Sequence, residues 1–289
     1  MAASKLGPVL SATLLTRDLD ASMALYGRYL HQQPHSRGTF DADLAQRWRR
    51  PWLAGRRQAW LANALGEPWL RMVEVPQAIA AEPFRQQGWL SLEISVQDVD
   101  GLHRSLADSP LRIIGEPANL DLSDDIRAMQ AIGPDGEVLY LTEVRAEVPP
   151  FELPRARCAV DRLFIPVLMA PDRDAALAVY ESLAGCAGMR FDTRIGVINR
   201  ARGLQAGHRH PVATLQLAGA TLIEIDQLEG LAARVDGAHA PTAGIAAIGF
   251  AAPAASEGAP QPGLLEGAAD EWIELLAAGP GSNHWRTTP

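Results

Sequence analysis

Apolar and polar positions alternate along "VLSATLLT" (9–16), the signature of a half-buried strand. A polar break at Asp18 follows, and the period then changes to helical, ending near Leu30. The same sentence recurs in "WLSLEISVQDVDGLHRSLADSP" (89–110), with Asp98 at the helix start, and in "VDRLFIPVLMAPDRDAALAVYESLAG" (160–185). Asp18 and Tyr26 stand the same interval apart as Asp172 and Tyr180. A weaker fourth copy opens at "AGIAAIGFAAP" (243–253), where "ASEGAPQPGLLEG" reads as a loop in the helix position.

Strand-like material closes each copy. "QAWLANALGEPWLRMVEV" (58–75) turns near Gly66, and "IRAMQAIGPDGEVLYLTEV" (126–144) turns through Pro134-Asp135-Gly136. "PVATLQLAGATLIEIDQL" (211–228) turns at Gly219, and "EWIELLA" (271–277) ends the last copy. The repeat predicts an α+β fold of four βαβββ modules. The proline-rich stretch "EVPPFELPRAR" (147–157) predicts a linker. A first domain of two modules over 1–146, a second over 158–278 with its fourth module degenerate, and a polar tail at 279–289 follow.

Composition narrows the partners. With 289 residues, 47% hydrophobic and 21% charged, the chain has the balance of a globular protein. A formal net charge of −8 argues against nucleic acid or an anionic membrane as the main partner. Cys158 and Cys186 have no metal-type spacing and no disulfide framework. No signal-peptide or membrane-spanning run stands in the sequence, so a cytoplasmic location is expected, with a small molecule as partner and a monomer or homodimer as the assembly.

The motifs "TRDLDASMALY", "SVQDVDGL", "GPDGEVLYL", "VDRLFIPV" and "LAGATLIEID" make the chain resemble a tandem member of the vicinal oxygen chelate superfamily, the glyoxalase, bleomycin-resistance and extradiol-dioxygenase group. The resemblance covers most of the chain and is thinnest in the fourth module. It implies modules paired into two curved-sheet domains, with helices on the convex faces and a cup inside each. In such proteins the cup commonly holds a divalent metal on His, Glu, His or Gln, and Glu. One scaffold carries many chemistries, so the resemblance alone does not give the activity.

Strand alternation turns Ser11, Thr13, Arg71, Ser91, Glu93, Tyr140 and Thr142 into a first cup. Laid on the family pattern, Ser11 and Ser91 stand at the first-strand ligand positions and Arg71 and Tyr140 at the glutamate positions. Serine hydroxyls are poor divalent-metal ligands, and a guanidinium repels a cation. The first cup is therefore expected to lack a metal and to need no cofactor. Glu224 and Glu274 match the glutamate positions of the second cup, whose first-strand positions fall on Arg162 or, aligned on Asp172, Ile165, and near Ala247; Arg162 between the glutamates would form a buried ion-pair network. The alternative is a metal site (Fe, Mn or Zn) on Glu224, Glu274, His208 and His210, although the histidine pair reads as a solvated loop.

These groups lead to an expected metal-independent lyase or isomerase acting on a small oxygenated molecule, cyclic or aromatic in one version. Glu93 would take a proton, Tyr140 would donate to a developing oxyanion, and Arg71 would hold an anionic or carbonyl group. Ser11, Thr13, Ser91, Thr142, Trp48, Trp52 and Trp60 would contact substrate. The tryptophans lie in "AQRWRRPWLAGRRQAW" (45–60), which reads as an insertion roofing the first cup with arginines on its rim. The other classes are a drug-sequestering protein without catalysis and a metal-dependent dioxygenase or glyoxalase-like enzyme in the second domain.

Overall fold

The computed structural model describes residues 6–121, 123–252 and 263–276. The 279–289 tail and most of the loop expected in place of a fourth helix lie outside them. Module one runs β1 (Val9–Thr16), α1 (Leu19–Leu30), β2 (Gln33–Thr39), α2 (Ala42–Arg47), a 3-10 turn (Pro51–Leu53), β3 (Arg57–Ala62) and β4 (Pro68–Glu74). Module two runs β5 (Gly88–Val96), α3 (Val99–Ser105), β6 (Arg112–Leu120), β7 (Ser123–Ile132) and β8 (Val138–Val144). Module three runs β9 (Val160–Ala170), α4 (Arg173–Ala184), β10 (Met189–Arg194), α5 (Gly196–Arg202), β11 (Arg209–Leu217) and β12 (Thr221–Gln227). Module four retains β13 (Gly244–Ala251), β14 (Gly263–Glu266) and β15 (Trp272–Leu276).

The repeat is visible in the helix caps. Asp18 accepts from Ala21 N, Asp98 from Gly101 N, and Asp172 from Asp174 N and Ala175 N, each satisfying amides left open at a helix start. Leu19, Met23, Tyr26 and Leu30 of α1 and Ala176, Leu177, Tyr180 and Ala184 of α4 enter the large core cluster. Leu92, Ile94 and Val96 of β5 join them, which turns the intervening Ser91, Glu93 and Ser95 to the other face.

The strands form two mixed sheets. One has the order β14-β15-β13-β1-β4-β3-β2 and the other β10-β11-β12-β9-β5-β8-β7-β6. This corrects the expected assignment of modules one and two to a 1–146 domain and three and four to a 158–278 domain. β1 pairs antiparallel with β13, Ser11 opposite Gly249, and β5 with β9, Glu93 opposite Ile165. Module one thus completes its sheet with module four, and module two with module three. The 147–157 stretch joins β8 to β9, two strands of one sheet with β5 between them. Its Phe151 and Leu153 pack on Phe164, Ile165, Val167 and Leu222, so its prolines mark an irregular connection rather than a domain boundary.

Two equivalent hydrogen bonds tie the sheets together. Tyr26 on α1 donates to Glu137 Oε1 at 3.2 Å, before β8 of the other sheet. Tyr180 on α4 donates to Glu271 Oε1 at 2.7 Å, before β15. The second carboxylate oxygen in each case accepts a turn amide, Asp135 N or Ala269 N. Glycine is required beside both: a Cβ on Gly133 or Gly267 would lie 1.9 or 1.8 Å from the glutamate oxygen. The phrase "GPDGE" is therefore a docking turn, and the repeated Asp-to-Tyr interval is the other half of the device. Burial raises the Glu137 carboxyl to about 7, with the Asp135 charge adding to it.

Candidate functional site

The sheet of modules one and four closes over a plugged cup. Arg71 on β4 is almost wholly buried and lies 2.7 Å from Glu274 Oε2 on β15. Its Nε and Nη2 also donate to Thr13 Oγ1, at 3.0 and 2.8 Å. The guanidinium stacks within 5.4 Å of the Phe40 ring, 4.7 Å of Trp48 and 5.2 Å of Trp60. The inserted α2 and 3-10 turn carry Trp48, Trp52 and Leu53 down as the lid of this packing. A Cβ on Gly249 would strike Ser11 Oγ at 2.3 Å and lies 3.6 Å from Glu274 Oε2, so glycine leaves room here for the pair. Burial raises the Glu274 carboxyl and Arg71 partly offsets that.

The sheet of modules two and three is different. Glu93 on β5 sits opposite Tyr140 on β8, and Glu224 on β12 opposite Val167 on β9. Glu93 is buried and accepts from Thr142 Oγ1 at 2.7 Å. Burial pushes its carboxyl up to about 8, the Glu224 charge adds to this, and the Thr142 bond opposes it. Asp226, two residues beyond Glu224 and on the same face, is held well above the usual carboxylate range by burial and by Glu224. Burial likewise raises Glu224, to about 7, with Asp226 opposing the rise. Tyr140 is half-buried, and burial together with Asp226, Glu224 and Glu93 holds its phenol well above its ordinary value. Ser91 Oγ, Ser95 Oγ, Thr214 Oγ1 and Asp226 Oδ1 are buried without a hydrogen-bond partner among the described residues.

The paired modules, curved sheets and two cups now stand beside known structures. No protein-family profile matches the sequence, and no curated protein matches it. A candidate dioxygenase from Bacillus subtilis superposes at TM-score 0.63 and 11% identity, over 99% of this chain and 89% of that one. Glyoxalase I from Zea mays superposes at TM-score 0.59 and 15% identity, over 93% of this chain and 90% of that one. The chain has the vicinal oxygen chelate fold. At these identities the likeness concerns the fold alone, and the chemistry must come from this chain's own residues.

Within that fold the sequence-derived site divides. Tyr140, Glu93, Ser91 and Thr142 share the cup of modules two and three. Arg71, Ser11, Thr13, Trp48 and Trp60 belong to the other cup, so Arg71 cannot serve beside Glu93 and Tyr140. The tryptophans enclose Arg71 rather than lining an open pocket, with Trp52 half-buried behind them. Glu224 and Glu274 are likewise parted between the sheets. Arg162 does not bridge them: it is half-buried and 4.0 Å from Glu67 Oε2. The alternative metal set is not assembled either. His210 is a buried residue of β11 bonded to Asn199 Oδ1 at 2.7 Å, whereas His208 is exposed, and burial lowers the His210 imidazole.

Three members of the site were missed. Asp226 was hidden because "LIEID" was aligned on its glutamate alone, although strand alternation puts both acids on one face. Thr214 lies opposite Glu224 on β11, and a pairing partner is invisible without the register. Phe40 precedes the inserted segment and closes on Arg71 only in three dimensions. Among the described residues no three His, Cys, Asp or Glu side chains are placed to hold one ion. The donor set agrees: Arg71 occupies one cup, and a valine and a phenol flank the carboxyls of the other.

Proposed function

We propose that the cup of modules two and three is the active site of a metal-independent lyase or isomerase acting on a small oxygenated molecule by acid–base chemistry. The observation that carries this is a shared, concave group of three carboxyls and a phenol, Glu93, Glu224, Asp226 and Tyr140, held at different proton affinities. Such separation assigns acid and base roles at neutral pH. Glu224, raised to about 7 and so partly ionised at neutral pH, is the base, beside Asp226 held well above the usual carboxylate range. Glu93 remains protonated up to about pH 8 and is the acid. The Tyr140 phenol keeps its proton throughout and donates to an oxyanion forming beside it. Ser91 and Ser95, otherwise without partners, supply hydroxyls to an oxygenated ligand.

The reading moves Arg71 out of the mechanism and makes Glu93 the acid rather than the base. Its test is exchange of carbon-bound protons next to a carbonyl, followed by proton NMR in D2O over a panel of small hydroxy- and oxo-compounds. Exchange should persist after exhaustive chelation and fall at least about 100-fold in Tyr140→Phe and Glu93→Gln, within the usual range for a removed acid or base. Exchange that vanishes on chelation and returns with iron, manganese or zinc overturns the metal-independent mechanism. Ligand binding with no exchange or turnover across the panel favours sequestration.

A further inference from the structure

A cavity adjoins the Tyr140 side of the cup. It has a volume of about 620 Å³ and opens between the segment before β5, the start of β6, the end of β7 and α5. Phe84, Ile132 and Val197 give it an apolar wall and belong to one packed cluster. Arg85, Arg112 and Arg200 stand around it, all three exposed. Arg200 Nη2 donates to Ile114 O at 2.8 Å. No carboxylate among the described residues forms an ion pair with any of the three, although Glu82 also lines the cavity.

The protein is acidic overall, and many of its surface arginines find carboxylates: Arg57 on Asp20, Arg127 on Asp100, Arg157 on Glu67, Arg190 on Asp174, Arg194 on Asp121. Arg47, Arg49 and Arg155 are exposed without an ion pair among the described residues, so what sets Arg85, Arg112 and Arg200 apart is that all three line one cavity. Three unneutralised guanidiniums around one cleft repel each other and focus a positive potential into it. Phe84 adds a second observation, since it holds φ at +66°, a left-handed conformation costly for an aromatic residue. Its neighbour Arg85 is carried out to the cavity by that turn.

We propose that this cavity binds an organic anion with an apolar body. The charged end meets the guanidinium forks of Arg85 and Arg112, which suit carboxylate or phosphate geometry. The apolar part lies on Phe84, Ile132 and Val197, in a volume within the ordinary range for small-ligand sites. The site adjoins the acid–base group, since Tyr140 packs against the cluster of Phe84, Ile132 and Val197 and the Arg200 charge opposes the rise of its phenol, but the anion is held by Arg85 and Arg112, which take no part in proton transfer.

The test is titration of the whole protein with 8-anilinonaphthalene-1-sulfonate, an amphipathic anion whose fluorescence rises in apolar pockets. Octanoate, octyl phosphate and octanol then compete. Displacement by octanoate assigns a carboxylate site, and by octyl phosphate alone a phosphate-ester site. Octanol should displace at least ten-fold less well than the better anion, and rising salt should weaken the anions. The exposed double substitution Arg85→Gln/Arg112→Gln should reduce affinity at least ten-fold, and Val197→Trp should fill the cleft. Arg194→Gln, an arginine distant in role and already paired, should leave affinity unchanged. Equal displacement by octanol, or undiminished binding in the double variant, overturns the proposal. The readout is affinity, so loss of exchange activity in the cup variants leaves this result standing by itself.

Discussion

Replacing Glu93 by glutamine gives a stability test that needs no substrate. In the folded protein its carboxyl holds a proton up to about pH 8, against an ordinary value of 4.5. The folded state therefore binds that proton more tightly than the unfolded chain does. Stability from this group is complete below pH 4.5, falls as pH rises through the window to about 8, and is flat beyond. A window of about 3.5 pH units at about 1.4 kcal/mol per unit amounts to roughly 5 kcal/mol. Glutamine carries no such term. Near pH 5 the variant should lie within about 1 kcal/mol of the parent, the amide replacing one neutral acceptor of the Thr142 hydroxyl with another. Near pH 9 it should be the more stable protein by about 4 kcal/mol, and removing the charge also eases ionisation of Asp226. Urea unfolding at unit steps from pH 5 to pH 9 measures the difference. The parent slope includes Glu137 and Glu224, but subtraction of the two curves isolates Glu93 and its couplings. Parallel curves would refute the buried-acid argument, and with it the assignment of Glu93 as the acid.

The other predictions address the remaining groups. Glu274→Ala strands the Arg71 charge inside its aromatic cage and should destabilise by about 3–5 kcal/mol in denaturant titration. The double variant Arg71→Met/Glu274→Met should lose much less than the two single variants together, and leave proton exchange in the other cup unchanged. Tyr26→Phe removes the donor to a buried carboxyl and should cost about 1–2 kcal/mol, with Tyr180→Phe costing a similar amount; thermal unfolding decides this. The exchange rate in the parent should decline above about pH 8 as Glu93 loses its proton, and a rate that rises there would transfer the acid role elsewhere.

Much of the fold was legible because each module writes its own local signals. Asp18, Asp98 and Asp172 cap helices in the structure as their positions before apolar periods imply, and the alternation in "LSLEISV" placed Glu93 correctly on the cup face. Pairing between modules was not legible. Strands such as β1 and β13 are buried on both faces, and nothing local says which apolar edge each will meet. The proline cluster at 149–150 and 154 was therefore overread as a boundary. That one error moved Arg71 into the wrong cup, because a correct inward face was assigned to the wrong sheet. The direction of each side chain came from its own strand, while its neighbours came from a register set far along the chain, as where Val9 lies opposite Phe250.

The two cups show how equivalent strand positions diverge once the modules are paired. Thr13 opposite Arg71 in one sheet corresponds to Glu93 opposite Tyr140 in the other, and Gly249 opposite Glu274 to Val167 opposite Glu224. In the first set a cation stands among the acceptors, and the insertion carrying Trp48 seals it from water. The result is a neutral, closed pair whose charges satisfy each other. In the second set no cation enters the carboxyl group, so neutrality is reached by retaining protons instead. A group that stores protons near neutral pH, and keeps a half-buried phenol and glutamate at its mouth, is suited to chemistry in a way the sealed pair is not. The difference traces to β4 and β8: an arginine at position 71 completes a core, and a tyrosine at position 140 leaves the acids unneutralised. Tyr140→Arg should therefore make the second cup resemble the first, pairing with Glu224 and lowering the carboxyls. The pH-dependent loss of stability between pH 5 and 9 should shrink accordingly in urea titrations. An unchanged pH dependence in a folded Tyr140→Arg protein would mean that the arginine does not enter the cup, and that the side chain at this position does not set its proton affinity.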